Sequence, residues 1–323
     1  MLSLVRKTVR HYRAFGLSST AKVVWQKVFP PPPPPPPAVP LEPAATAVPA
    51  NYGSVFADDA RLDADARYAL QVAKGYVSKF ESGAFAIKDK SILELGPGLN
   101  LGTALILRSW GAREVAVADR FLVRFQPMYH PRLYRRISAL LRDEERWVDT
   151  EPLDRCAAAG QHLTKYVTPI EVPIEKLGDV TEARFDFTLS NAVLEHVYHP
   201  RLAIRNLAQV SRPGSVGLHQ VDCRDHRDFS RPLEYLLLDE FSFHELLTER
   251  NAECGNRIRP DELLAMFDEN DFDEVELSPN MWAENDYLEE FVPRLRAARS
   301  SPYSDIDVER LRPISGFFRT RMN

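Results

Sequence analysis

The stretch "SILELGPGLNLG", residues 91–102, places Gly96, Gly98 and Gly102 within seven positions, directly after an apolar run that reads as a buried strand. Glu94 stands two residues ahead of the first glycine. A strand that runs into a glycine loop and then a helix turns backbone N–H groups and a helix N-terminus toward a ligand, with no side chains in the way. The dinucleotide form of that loop is GxGxxG or GxGxxA. Here the third position is Leu101 and Gly102 arrives one residue late, which argues against a nicotinamide oxidoreductase. No glycine-lysine-serine/threonine run follows, so a Walker loop is excluded. A carboxylate at the strand end is misplaced beside a pyrophosphate and well placed beside a cation. Asp119 closes the next apolar run, "EVAVAD", 21 residues after Gly98, where the acid of nucleoside-binding α/β folds accepts from a ribose diol. The expected ligand is therefore a nucleoside that carries positive charge.

The elements that must hold these residues follow from periodicity. Helical patterns over residues 63–80, 101–110 and 202–210 alternate with the strand-like runs "SILEL", "EVAVAD", "YVTPIEV", "FDFTLS" and "SVGLHQV". That alternation predicts an α/β fold built on a doubly wound sheet. Pro260 and Asp261 open a further helix, followed by a strand at Val275–Leu277, and "ISGFFRTRM" supplies a last strand. Two stretches, about 120–165 and 222–259, exceed ordinary βα loops and are expected as helical inserts over the ligand crevice, candidates for a lid.

Ahead of this domain, which is expected to span 51–323, lie two unlike segments. Residues 1–29 carry Arg6, Lys7, Arg10, Arg13, Lys22 and Lys27 and no acid, although the chain as a whole is at −5. Leu2, Val5, Val9 and Tyr12 recur at helical spacing, so this basic amphipathic segment either docks on the protein's own body or touches an anionic membrane surface. Residues 30–50 are proline-rich and form a stiff linker. The net negative charge gives no case for a nucleic-acid partner. Cys156, Cys223 and Cys254 are dispersed, odd in number and without CxxC spacing, which fits a reducing, cytoplasmic setting.

With "ILELGPGLNLG", "VAVAD", "FDFTLSNAVLEHVYHPRLAIRNLAQVSRPGS" and "RIRPDELLAMFDENDFDEVEL" in this order, the chain resembles the class I S-adenosylmethionine-dependent methyltransferases, in particular the type 11 group. The resemblance implies a Rossmann-like sheet, mostly parallel with an antiparallel last strand. It implies that Glu94 and the Gly96-Pro97-Gly98 backbone hold the methionine end of S-adenosylmethionine, with Asp119 on the ribose. Ser190 and Asn191, ending the fourth strand, would border the methionine part and the methyl group. The family often has glycine at Asn100, which can instead take a left-handed backbone or cap the following helix. Glu171 or Glu175 would be available to the adenine.

The acceptor is expected to be a small molecule or glycan-like compound, with O-methylation favoured. A hydroxyl acceptor benefits from a base that titrates near neutrality, which points to His196, His219 or His226, with Asp222 and Asp225 near enough in sequence to orient one of them. His196 belongs to the family's common Glu-His pair, so a cofactor-shaping role is equally open. In "RFQPMYHPRLYRR", Arg124, Arg132, Arg135 and Arg136 either meet an anionic acceptor or form a solvated helix face. Some similar quinone-type O-methyltransferases bind a divalent metal with an acid three positions before the Glu-His pair. Ala192 stands there in this chain, so no metal is expected at that place. A protein that keeps the fold only for binding, with the tail and linker recruiting partners, is the other class these features allow.

Overall fold

A computed structural model describes residues 58–323 apart from residue 146. The expected basic segment, proline-rich linker and first residues of the domain lie outside the described residues.

The apolar runs become strands, the central ones buried because helices cover both faces of the sheet and the two edge ones largely exposed. These are β1 (Ser91–Leu95), β2 (Glu114–Asp119), β3 (Thr168–Glu171), β4 (Phe185–Asn191), β5 (Ser211–Asp222), β6 (Glu276–Trp282) and β7 (Pro313–Arg321). They form one sheet in the order β3-β2-β1-β4-β5-β7-β6. The first five strands pair in parallel, and β7 runs antiparallel to both β5 and β6, as the resemblance implied. The order reverses beside β1, with β2 on one side and β4 on the other, and in doubly wound sheets the ligand crevice opens at such a switch point.

Helices α1 (Asp59–Val77), α2 (Gly102–Ser109), α3 (His130–Glu144) and α4 (Glu151–Ala159) share one core with Ile92, Val115, Val117 and Leu189. Helix α5 (Pro200–Val210) lies in the core on the opposite face with Leu93, Leu95 and Val221. Asp58 caps α1 by accepting from Arg61 N at 2.8 Å. The Arg212-Pro213-Gly214 turn interrupts the start of β5 rather than preceding it. The register shifts between Phe185 and Phe187, and Gly214 takes a φ of +76°.

The first insert is not a lid. It folds into α3 and α4, and Leu133, Tyr134, Ile137 and Leu141 on one face of α3 are each 0% exposed. Full burial of such side chains stabilises by roughly 1.5–3 kcal/mol each, which fastens the insert to α1 as part of the helical layer. The second insert includes α6 (Glu240–Cys254) and has a core of its own. Leu233, Tyr235, Leu236 and Phe243 pack there with Leu288, Phe291 and Leu295 of α8 (Asn285–Ala297), and with Ile314. The sequence pattern gave no sign that the β6–β7 connection completes this core. The fully buried Arg259, just ahead of α7 (Pro260–Glu269), joins the two parts: its guanidinium donates to Cys223 O at 3.0 Å and Pro313 O at 2.6 Å.

Candidate active site

Parallel register sets the ends of β2, β1 and β4 side by side. Leu95 pairs with Ala118 on one side and Ser190 on the other, so Asp119, Gly96 and Asn191 follow level with one another. Gly96 N donates to Ala118 O at 2.8 Å and fixes the start of the loop against β2. Gly96 and Gly98 have φ of +60° and +70°, a region costly for any residue with a Cβ. A Cβ on Gly96 would also stand 2.4 Å from Val193 Cγ2. Pro97 between them carries no amide hydrogen.

Glu94 is 3% exposed, and its Oε2 has no hydrogen-bond partner. Burial pushes its carboxyl up to about 8, so it is protonated near neutrality, and a cation arriving here would displace the proton and take the carboxylate as its counterion. The hydroxyl of Tyr76 on α1, also buried and without a partner, lies in its field. At the end of β2, burial raises the Asp119 carboxyl, partly offset by Phe121 N, which donates to Oδ1 at 2.9 Å. These features fit a cationic nucleoside: a loop open to close approach, an orphaned acid at one end and a carboxylate at the other.

Two residues named for the cofactor direct their side chains elsewhere. Asn100 Oδ1 accepts from Gly102 N at 2.8 Å, so its side chain closes a turn just ahead of α2, whose N-cap is Leu101, and does not reach over the loop. Ser190 is 0% exposed, with its Oγ 2.8 Å from His219 Nδ1, which turns the side chain into the sheet and leaves only its backbone at the crevice. Asn191 does reach outward, donating from Nδ2 to Tyr68 OH at 3.0 Å.

The three histidines part company. His219 is 0% exposed and stacks on Phe267 at 5.6 Å, and burial lowers its imidazole to about 3. The expectation of His219 as a base is corrected: strand alternation points it into the α5–α7 core. His196 and His226 come together instead, with ring centroids 5.0 Å apart. His226 Nε2 is 3.6 Å from Asp222 Oδ2. Burial raises the Asp222 carboxyl, but two hydrogen bonds from Arg224 (2.8 and 2.7 Å) and the neighbouring His226 outweigh this and hold it well below the usual range. Asp225 is taken up by Arg227 and accepts from its Nε at 2.9 Å. Glu195 completes the group. Its Oε1 accepts from Asp222 N at 3.1 Å, its Oε2 has no hydrogen-bond partner, and burial raises its carboxyl to about 8.

A cleft of about 430 Å³ lies between α1 and the β5–β7–β6 part of the sheet, lined in part by Tyr68, Gln71, Asn191, Gln220 and Asn280. Gln220, which lines the cleft, and Asp222 are two apart on β5 and project to the same face of the sheet. Val72, Pro279 and Phe317 give the cleft apolar walls, and its polar side chains are neutral amides and hydroxyls except Lys79, whose Nζ stands 4.3 Å from the Phe317 ring centroid.

The arginines of the first insert do not face the crevice as an anion site. Arg136 pairs with Asp63 (2.7 Å) and Asp59, Arg132 with Asp59 (2.9 Å), and Arg124 with Glu171 (2.8 Å). That last pair also occupies one of the two acids proposed for adenine. Glu175, the other, is buried and accepts from Tyr198 N at 2.9 Å and His199 N at 3.2 Å. Local partners therefore occupy both carboxylates, the Glu171 pair at the surface and the Glu175 bonds in the interior.

The strand order, the antiparallel β7 and a glycine loop flanked by two acids define a class I methyltransferase fold. A family model described as a methyltransferase domain matches residues 68–277, more than half of the chain, and the chain belongs to that family. It is an S-adenosylmethionine-dependent methyltransferase. Among curated proteins none matches it. Among solved structures, an S-adenosylmethionine-dependent methyltransferase from Mesorhizobium loti is 16% identical, with 73% of this chain and 92% of that chain covered and a TM-score of 0.41. The N-methyltransferase NodS from Bradyrhizobium japonicum, solved with S-adenosyl-L-homocysteine, is 14% identical, with 80% of this chain and 86% of that chain covered and a TM-score of 0.36.

Proposed function

We propose that the enzyme methylates a hydroxyl group of a neutral, hydroxyl-rich small molecule or glycan-like acceptor. The observation that carries this reading is the pairing of His196 with His226 above the ends of β4 and β5, with Asp222 held ionised by Arg224 behind His226. When bound, the cofactor supplies a methyl group on a positively charged sulfur, a centre open to in-line displacement. Glu94 meets the charged methionine end, the Gly96–Gly98 backbone allows close approach, and Asp119 takes the ribose hydroxyls. Asp222 orients His226, and the imidazole accepts the acceptor's proton as its oxygen attacks. The amide-lined cleft supports a neutral polyhydroxylated acceptor, since Asn191, Gln220 and Asn280 offer both donors and acceptors.

A labelled-methyl screen against cell extract, with mass spectrometry of the product, tests the acceptor class. A methyl ether on a hydroxylated compound is expected, and a methylated amine or carbon as the main product would overturn O-methylation. General-base catalysis contributes roughly 10²–10⁴-fold. His226→Ala should therefore lower kcat about 100-fold with cofactor affinity unchanged, and an unaltered kcat would remove the imidazole from the chemistry.

A further inference from the structure

One carboxylate and two imidazoles meet at the crevice in an arrangement that proton transfer does not use up. Glu195, His196 and His226 each offer a ligand atom, all within 4.8 Å of one another, and they are the only such group among the described residues. Ligands bound to one zinc-sized ion at 2.0–2.2 Å stand at most ~4 Å apart, so small rotations of the two imidazoles would close the set. His196 and His226 are only partly buried, which gives an ion access from the crevice. Glu195 supplies the independent sign of a missing ligand: it is 3% exposed, and its Oε2 has no hydrogen-bond partner. Buried carboxylate oxygens ordinarily find one.

We infer that Glu195, His196 and His226 form a binding site for a divalent transition ion of the zinc or cobalt(II) type. Two nitrogens and one oxygen suit these ions better than magnesium or calcium, which take oxygen ligands. Three protein ligands leave a coordination position open. The acid whose absence at Ala192 argued against a metal is not needed, because His226 arrives from the segment after β5 as the third ligand. Asp222, tied up by Arg224, stays outside the set and braces His226.

The ion uses side chains that the proposed function assigns to proton removal, but the inference does not rest on that reading. It is tested without cofactor or acceptor. Cobalt(II) is titrated into the full chain after chelator treatment and followed by its visible absorption and by calorimetry. Saturation at one equivalent, displacement by zinc, and at least tenfold weaker binding in Glu195→Gln and in His226→Ala are expected. His244→Ala, on the exposed side of α6, should bind as the parent does. Thermal unfolding shows whether each variant is folded. Should Glu195→Gln fail to fold, the partly exposed His226→Ala carries the test. Absence of binding below millimolar cobalt, equal affinity in the folded variants, or a sulfur-to-cobalt charge-transfer band that places the ion on a cysteine would overturn the inference. A bound ion would occupy the imidazole that accepts the proton, so turnover measured in excess chelator reports on the base alone, and failure of one reading leaves the other intact.

Discussion

The two halves of the crevice are built by different means. At the ends of β1 and β2 the site is mostly backbone: two glycines at positive φ, a strand register that sets Asp119 beside Gly96, and one buried acid. At the ends of β4 and β5 it is mostly side chains, delivered by segments that meet only in the folded chain: Glu195 and His196 after β4, His226 and Asp222 around the end of β5, and Asn280 from β6. In the proposed function the first half takes the cofactor and the second the acceptor.

The largest effect should come from breaking the backbone half. Gly96→Val forces a β-branched residue into φ +60° and against Val193, and should abolish cofactor binding and cost about 3 kcal/mol or more of stability, read by calorimetry and denaturant unfolding. The loss of about 100-fold in kcat expected for His226→Ala comes next and belongs to the other half, with cofactor affinity as the quantity that must not move.

Glu94→Gln sharpens the comparison through pH. The unfolded chain ionises this carboxyl near its ordinary value, whereas the folded protein keeps it protonated up to about 8. The unfolded state therefore binds fewer protons across that window, and cofactor-free stability falls as pH rises from about 4.5 to 8. At pH 8, Glu94→Gln should raise the Tm of the free protein by roughly 5 °C while weakening cofactor binding about tenfold. In the parent, binding should release a proton and tighten as pH approaches 8, and a flat profile would show that no cation meets Glu94. The smallest effect is expected outside both halves. Arg136→Ala breaks exposed pairs to Asp59 and Asp63, and should change stability by less than about 1 kcal/mol and leave turnover unaltered.

The same division explains what was legible in the sequence. The strands and the glycine loop follow from local periodicity and from spacing along one short segment, and they fold as read, whereas the order of the strands in the sheet is set by pairing that no one segment shows. Asn100 was readable only as a residue of the helix start, because its bond to Gly102 N spans two positions of one short segment. Ser190 and His219 were not, because their inward direction depends on strand alternation against a core whose extent no single segment reveals. Arg132 and Arg136 looked available for an anion because their partners lie on α1, far away in sequence. His226 as a partner of the Glu195-His196 pair had no local signal. Only the parallel pairing of β4 with β5 brings the segments after them together.

Arg259 and the core around Tyr235 carry a practical consequence for transplanting specificity. The acceptor side looks modular, because the 222–259 segment is a single insertion. Its apolar face, however, is covered by α8 and Ile314, and its base is bolted to Pro313 through a fully buried guanidinium. Moving that segment alone into a related enzyme would strand a charged group and an uncovered hydrophobic patch. The smallest exchangeable unit is therefore discontinuous, residues 222–259 together with the connection from β6 to β7.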